Sequence, residues 1–198
     1  GGLGTNCYIV YNDETKEAIV FDPADEGIKI KAEIEKLSLK LKYIIITHAH
    51  CDHISALDFL KESFSEAKIC IGKYETDSLN DDYLSLCVHF GMKAPISKAD
   101  VLIADGDCLS LGDESLEFMH TPGHTAGSVC LLMEDAMFSG DTLFAGSCGR
   151  TDLPGGDWAT ILSSLRRLAA LEADLTVYPG HGESTTLARE KRYNPYMR

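Results

Sequence analysis

Apolar residues come along this chain in short bursts, and the bursts read as strands. CYIVY (7–11), EAIVFD (17–22), KYIIIT (42–47), AKICIG (67–72), SLEFMH (115–120), SVCLLM (128–133), AMFSG (136–140) and LTVYPG (175–180) are apolar or alternating runs of strand length. Between them the spacing changes to a helical period. Residues 25–38 carry Ile28, Ile30, Ile34 and Leu37 among charges. Asp157 is placed to cap a helix on which Trp158, Ile161, Leu162, Leu165 and Leu168 share a face. A last short helix over 183–192 ends in Arg189, Lys191 and Arg192, the favourable sign for its dipole. Residues 73–106 are polar and weakly helical, and are expected to be a surface elaboration over a sheet edge. Two strand-rich blocks, 1–72 and 107–141, have no low-complexity linker between them. The 198 residues are therefore expected to form one domain, residues 1–198.

Composition narrows the possible partners. Eighteen basic residues against thirty-one acidic ones leave a formal charge of -13, which repels phosphate backbones. No nucleic acid and no membrane surface is expected as a partner, and no apolar run approaches the roughly 20 residues of a membrane span. No signal-peptide pattern opens the chain, although it begins at Gly1 rather than Met. Seven cysteines occur, an odd number without a CxxC pair, several of them inside apolar runs. That pattern suits reduced thiols in the cytoplasm.

The candidate chemistry lies at the strand ends. THAHCDH (47–53) follows the run YIII and holds His48, His50, Asp52 and His53. TPGHT brings His124, SGDT brings Asp141 and YPGHG brings His181, each just beyond a predicted strand in a turn containing Gly or Pro. Strand ends that share one sheet edge can converge in space. Seven donors exceed the four of a tetrahedral zinc and suit two metals about 3.5–4 Å apart that share a carboxylate. His48 and His50, two apart in an extended turn, can point the same way. His120 is read as structural or as a partner of a ligand, and His89 as an ordinary side chain. Cys51, between candidate ligands, is expected to point away. Asp22, at the end of EAIVFD, is either an acceptor for a ligand imidazole or a plain turn carboxylate.

With THAHCDH, the lone His124, Gly140-Asp141 and the late Gly180-His181, the chain resembles the metallo-β-lactamase superfamily over nearly its whole length. The resemblance implies an α/β fold, a four-layer αββα sandwich with the site at one edge of its sheets. It implies that His48, His50 and His124 hold one metal, that Asp52, His53 and His181 hold a second, and that Asp141 bridges them. Within the superfamily the chain looks closest to glyoxalase II, the hydroxyacylglutathione hydrolases. LFAGSCGR (143–150) is similar to a glutathione-binding segment there, which makes Arg150 a substrate-contact candidate; a salt bridge to Asp152 is the other reading of that side chain. TTLAREKRYNPYMR (185–198) looks like the end of those enzymes, but their sizeable C-terminal helical region has only a few residues in its place here.

The implied cofactors are two divalent metal ions, zinc first, with iron or manganese also compatible. Such a pair lowers the pKa of a shared water to about 7 and polarises a carbonyl. Asp52 would orient the nucleophile and receive its proton. No further acid is evident, and a thiol leaving group, pKa about 8.5, needs less help than an alkoxide or an amine. The expected function is thus thioester hydrolysis by a metal-activated hydroxide, with S-D-lactoylglutathione as the leading substrate. The alternatives are a mononuclear iron persulfide dioxygenase, similar even in its GRTD stretch, and a non-catalytic metal-stabilised binding module. A β-lactamase proper is not expected, since Asp141 stands where a subset of lactamases has a cysteine.

Overall fold

The computed structural model describes residues 1–198. Strands β1 (Tyr8–Tyr11), β2 (Glu17–Phe21), β3 (Lys40–Ile46), β4 (Lys68–Gly72) and β5 (Val101–Ile103) form one sheet in that order. Its β1–β2 pair is antiparallel and the other pairs are parallel. Strands β6 (Cys108–Leu111), β7 (Glu114–His120), β8 (Val129–Leu132), β9 (Ala136–Gly140), β12 (Thr176–Pro179) and β13 (Thr185–Thr186) form a second sheet, while β10 (Leu143–Phe144) and β11 (Ser147–Cys148) make a small hairpin. The helices are α1 (Gly27–Lys36), α2 (Cys51–Ile54), α3 (Leu57–Ser63), α4 (Thr76–Leu79), α5 (Trp158–Ala169) and α6 (Leu187–Tyr193).

Alternation along the strands explains the layers. On β2 and β3, Ala18, Val20, Ile44 and Ile46 turn outward and meet Ile30 and Ile34 of α1 and Leu57 and Leu60 of α3. The intervening Ile19, Phe21 and Ile45 face the second sheet and pack with Phe118, Leu131 and Phe138. On the far side of the second sheet, Cys130, Met137 and Val177 meet Leu165 and Leu168 of α5 and Leu187 of α6. A strand buried on both faces must be apolar at every position, which is why YIII reads as a continuous run. The result is the four-layer αββα sandwich of the metallo-β-lactamase fold.

Four expectations need correction. Residues 73–106 are more than a cover, since Val101–Ile103 is itself the edge strand β5; its apolar run is too short to stand out from the polar sequence around it. Cys108–Leu111, also unpredicted, is β6, paired with β7. Ile28 belongs to no core: it is two residues from Ile30, roughly 200° around the helix, and is 75% exposed. The final helix is shorter than 183–192, starting after a Thr186 cap that accepts a hydrogen bond from the Arg189 amide. The Asp157 cap is as expected, its carboxylate accepting from the Thr160 amide at 2.7 Å.

The topology sends the chemistry to one end. Strands β7, β9 and β12 run in the same direction, so residues 121–124, 141 and 181 emerge together. The C-terminal end of β3 joins them through the Val129 amide, which donates to the Thr47 carbonyl at 3.0 Å.

Candidate metal centre

All seven predicted donors meet at this end, in three overlapping groups whose ligand atoms lie within 4.8 Å of one another: His48, His50 and His124; His48, His53 and Asp141; Asp52, His53 and His181. In the first, His124 Nε2 is 3.2 Å from His48 Nε2 and 3.0 Å from His50 Nδ1. In the last, His181 Nε2 is 3.1 Å from Asp52 Oδ2, and His53 Nε2 is 3.6 Å from the same oxygen. Asp141 lies between the groups. Its Oδ1 is 3.5 Å from His53 Nε2, and its Oδ2 is 3.6 Å from both His124 Nε2 and His181 Nε2.

The outer nitrogens decide which inner ones carry lone pairs. His53 Nδ1 donates to Asp22 Oδ2 at 2.9 Å and His124 Nδ1 donates to the Arg150 carbonyl at 2.7 Å. The Thr47 hydroxyl donates to Asp22 Oδ2 at 2.7 Å and is 3.2 Å from His48 Nδ1, from which it can accept. Each of these imidazoles therefore turns its Nε2 inward as the nitrogen available to a cation. His53 Nε2 and Asp141 Oδ1 are buried and have no hydrogen-bond partner. Buried polar atoms are seldom left so, and acceptors crowded around a common centre are what a cation satisfies. The donor set is nitrogen and oxygen only, and it suits divalent ions.

Asp22 thus acts as an acceptor for ligand-loop groups rather than as a plain turn carboxylate, also taking the Thr47 amide at 2.7 Å. Arg150 enters through its backbone. Its guanidinium makes a two-point pair with Asp152, both contacts 2.7 Å, and stays exposed. Cys51 points away, into a cluster with Leu86 and Cys87, where burial pushes its thiol up to about 12. His120 stacks near Tyr74 and bonds the Ala126 carbonyl, and His89 lies by Tyr83; neither reaches the centre. Two contributors were not foreseen. Thr5 donates to Asp52 Oδ2 at 2.6 Å, and Glu75, 1% exposed, accepts hydrogen bonds from three groups in the ligand loops. Neither carries a spacing signal, because each works across tens of residues.

Electrostatics separate the two groups. Burial holds His48 well below its usual range, and burial with the nearby His124 brings His50 to about 3. Burial lowers His124 as well. Burial also opposes charge on His53, but the Asp141 and Asp22 carboxylates overcome it and raise that imidazole to about 9. The hydrogen bond to Asp52 raises His181. At neutral pH, then, the three-histidine group is neutral while His53 holds a proton that a cation must displace. Zinc affinity at the Asp52, His53 and His181 group should rise at least about tenfold per pH unit from pH 6 to 8, since His181 is raised as well as His53, and should rise less steeply at the three-histidine group, whose imidazoles are all lowered. Chelator competition at pH 6, 7 and 8 measures both; a flat profile at each group would contradict this charge assignment.

Beside Asp52 opens a cavity of about 290 Å³, lined by Leu3, Thr5, Ala24, Asp25, Phe90 and Met92 among others. Its only charged side chains are the two aspartates. No helix is long and apolar enough to cross a membrane.

Comparison with known proteins agrees with the geometry. The chain is 36% identical over 202 residues to the hydroxyacylglutathione hydrolase GloC of Haemophilus influenzae, covering 97% of this chain and 92% of that one. It is similar to the crystal structure of BLEG-1 B3 metallo-β-lactamase, with a TM-score of 0.93 and 35% identity, covering 100% of this chain and 96% of the other. It is also similar to TTHA1623 in a di-iron-bound form, with a TM-score of 0.87 and 34% identity over 99% of this chain and 96% of that one. Residues 1–181 match the Metallo-beta-lactamase superfamily, and with this fold and these strand-end donors the chain belongs to that superfamily.

Proposed function

We propose that the chain is a dinuclear metal-dependent hydrolase of thioesters, glyoxalase II-like, acting in the cytoplasm on a small-molecule substrate without nucleic-acid or membrane partners. His48, His50 and His124 would hold one divalent ion and Asp52, His53 and His181 the other, zinc in the first instance, with Asp141 shared. The carrying observation is that Asp141 faces both groups while its Oδ1 and His53 Nε2 are buried and unpartnered. Bound there, two divalent ions would supply hydroxide at neutral pH and a Lewis acid for a carbonyl oxygen.

The protein's own groups do the rest. Asp52, held by the Thr5 hydroxyl, borders the cavity and can orient a nucleophile and take up its proton. Its carboxylate is kept low, against its burial, by the His181 hydrogen bond and the charge of His53, so it is an acceptor throughout the neutral range. The cavity offers no lysine, arginine, tyrosine or histidine to protonate a departing group. A thiol leaves under those conditions far more readily than an amine. The likeness to GloC supports glutathione as that thiol and S-D-lactoylglutathione as the leading ester. Arg150 could meet a glutathione carboxylate by exchanging it for Asp152, with which it now pairs.

The likeness to BLEG-1 favours a second reading, β-lactam hydrolysis at the same centre. Metal analysis of freshly purified protein, with turnover of S-D-lactoylglutathione, other thioesters and a chromogenic cephalosporin on the same sample, separates the cases. About two zinc per chain with thioester turnover is the expected result. Cephalosporin cleavage alone would favour the second reading. One iron per chain, with oxygen uptake on glutathione persulfide and no thioester cleavage, would make it a dioxygenase. No turnover of any of these would leave a metal-stabilised binding module.

A further inference from the structure

Glu75 is a buried carboxylate that does not line the cavity, in the segment between β4 and α4. Its Oε1 accepts from the Ala49 amide at 3.0 Å, and Ala49 lies between His48 and His50. Its Oε2 accepts from the Thr125 hydroxyl at 2.8 Å and the Gly127 amide at 2.9 Å, immediately after His124. The Ser128 hydroxyl, 2.7 Å from the Thr125 hydroxyl, extends the chain of bonds, and accepts from the Thr125 amide at 3.2 Å. Gly127 fits closely against this carboxylate. A Cβ there would stand 2.5 Å from Glu75 Cβ and 2.6 Å from Oε2, so the loop has no slack.

We propose that Glu75 is the positioning residue of the three-histidine site, setting its metal affinity without setting that of its neighbour. The carboxylate ties Ala49, in the turn between β3 and α2 that carries His48 and His50, to the loop after β7 that carries His124, and makes no hydrogen bond in α2, which carries Asp52 and His53, or beside His181. Asp22 offers the contrast. It reaches His53 directly and His48 through the Thr47 hydroxyl, so it serves both groups. Three donors converge on Glu75. In Glu75→Gln the amide NH2 must face at least one of them, because only one oxygen remains. The loop then gives, and His124 Nε2, now 3.2 Å from His48 Nε2 and 3.0 Å from His50 Nδ1, loses its common focus with them.

The test measures zinc affinity, so it rests on the metal centre but not on the substrate, and failure of thioester turnover leaves it untouched. Zinc-loaded protein is challenged with a chromophoric chelator in two backgrounds. His181→Ala leaves the three-histidine group intact, and His124→Ala leaves the other. Glu75→Gln should weaken zinc about 10–100-fold in the first background. In the second it should change affinity by less than about threefold. Asp22→Asn should weaken both. If Glu75→Gln does not fold, Thr125→Val removes one of the three bonds and should weaken only the three-histidine group, by about three- to tenfold. Equal weakening of both groups, or a lower melting temperature with zinc affinity unchanged, would make Glu75 merely structural and overturn the proposal. Failure of the unaltered protein to bind zinc at all would overturn the metal centre together with it.

Discussion

Replacing Asp141 by asparagine is expected to cut kcat/KM for the thioester about a thousandfold, on the order of 4 kcal/mol of transition-state stabilisation. The change is nearly isosteric, so packing around the residue is retained. What changes is charge and donor character. Asp141 faces nitrogens of His53, His124 and His181 at 3.5–3.6 Å, and its Oδ1 has no partner of its own. An amide places two N–H donors where a cation needs lone pairs, and removes the negative charge shared by the two groups. Bound zinc should fall from about two per chain towards one. The same variant should lower the His53 pKa in the metal-free protein, since Asp141 is its strongest charge-stabilising neighbour. Imidazole NMR titration would read that shift. A variant that keeps both zinc ions and most of its activity would remove Asp141 from the bridging position.

Glycine 180 offers a test made without touching any donor atom. It precedes His181, and a Cβ built on it would run into Asp141 Oδ1 and come within 2.7 Å of His53 Cε1. Its backbone is not in the left-handed region, so the requirement is space rather than conformation. Gly180→Ala should push His181 and Asp141 apart by a fraction of an ångström to an ångström. Displacements of that size at a catalytic centre cost about a hundredfold in rate. Zinc at the Asp52, His53 and His181 group should weaken more than zinc at the three-histidine group. Chelator competition and turnover on one preparation would show both; wild-type activity in Gly180→Ala would mean that the strand end has more room than its contacts indicate.

The architecture was legible because it is carried by near neighbours. Ile44, Ile45 and Ile46 announce a strand buried on both sides, and their alternation already assigns Ile45 to one layer and its neighbours to another. The periodic spacing of Ile161, Leu165 and Leu168 behind the Asp157 cap announces α5. Short elements escaped for the same reason: Val101–Ile103 is too brief to establish a period, and only pairing with β4 makes it a strand.

The sequence by itself determined which residues could be donors, and that each stood at the end of a strand in a turn. It could do so because side-chain chemistry, strand period and turn residues are local properties. Tertiary structure alone decided how those donors are held. Thr5 reaches Asp52 across 47 residues, and Glu75 reaches its partners across 26, 50 and 52. The same holds for Arg150, whose carbonyl fixes the His124 tautomer while its guanidinium turns outward to Asp152, and for Cys51, turned from the centre by packing against Cys87. A hydrogen bond between distant segments leaves no period and no spacing in the chain, since only the packing of two sheets brings donor and acceptor within 3 Å of each other.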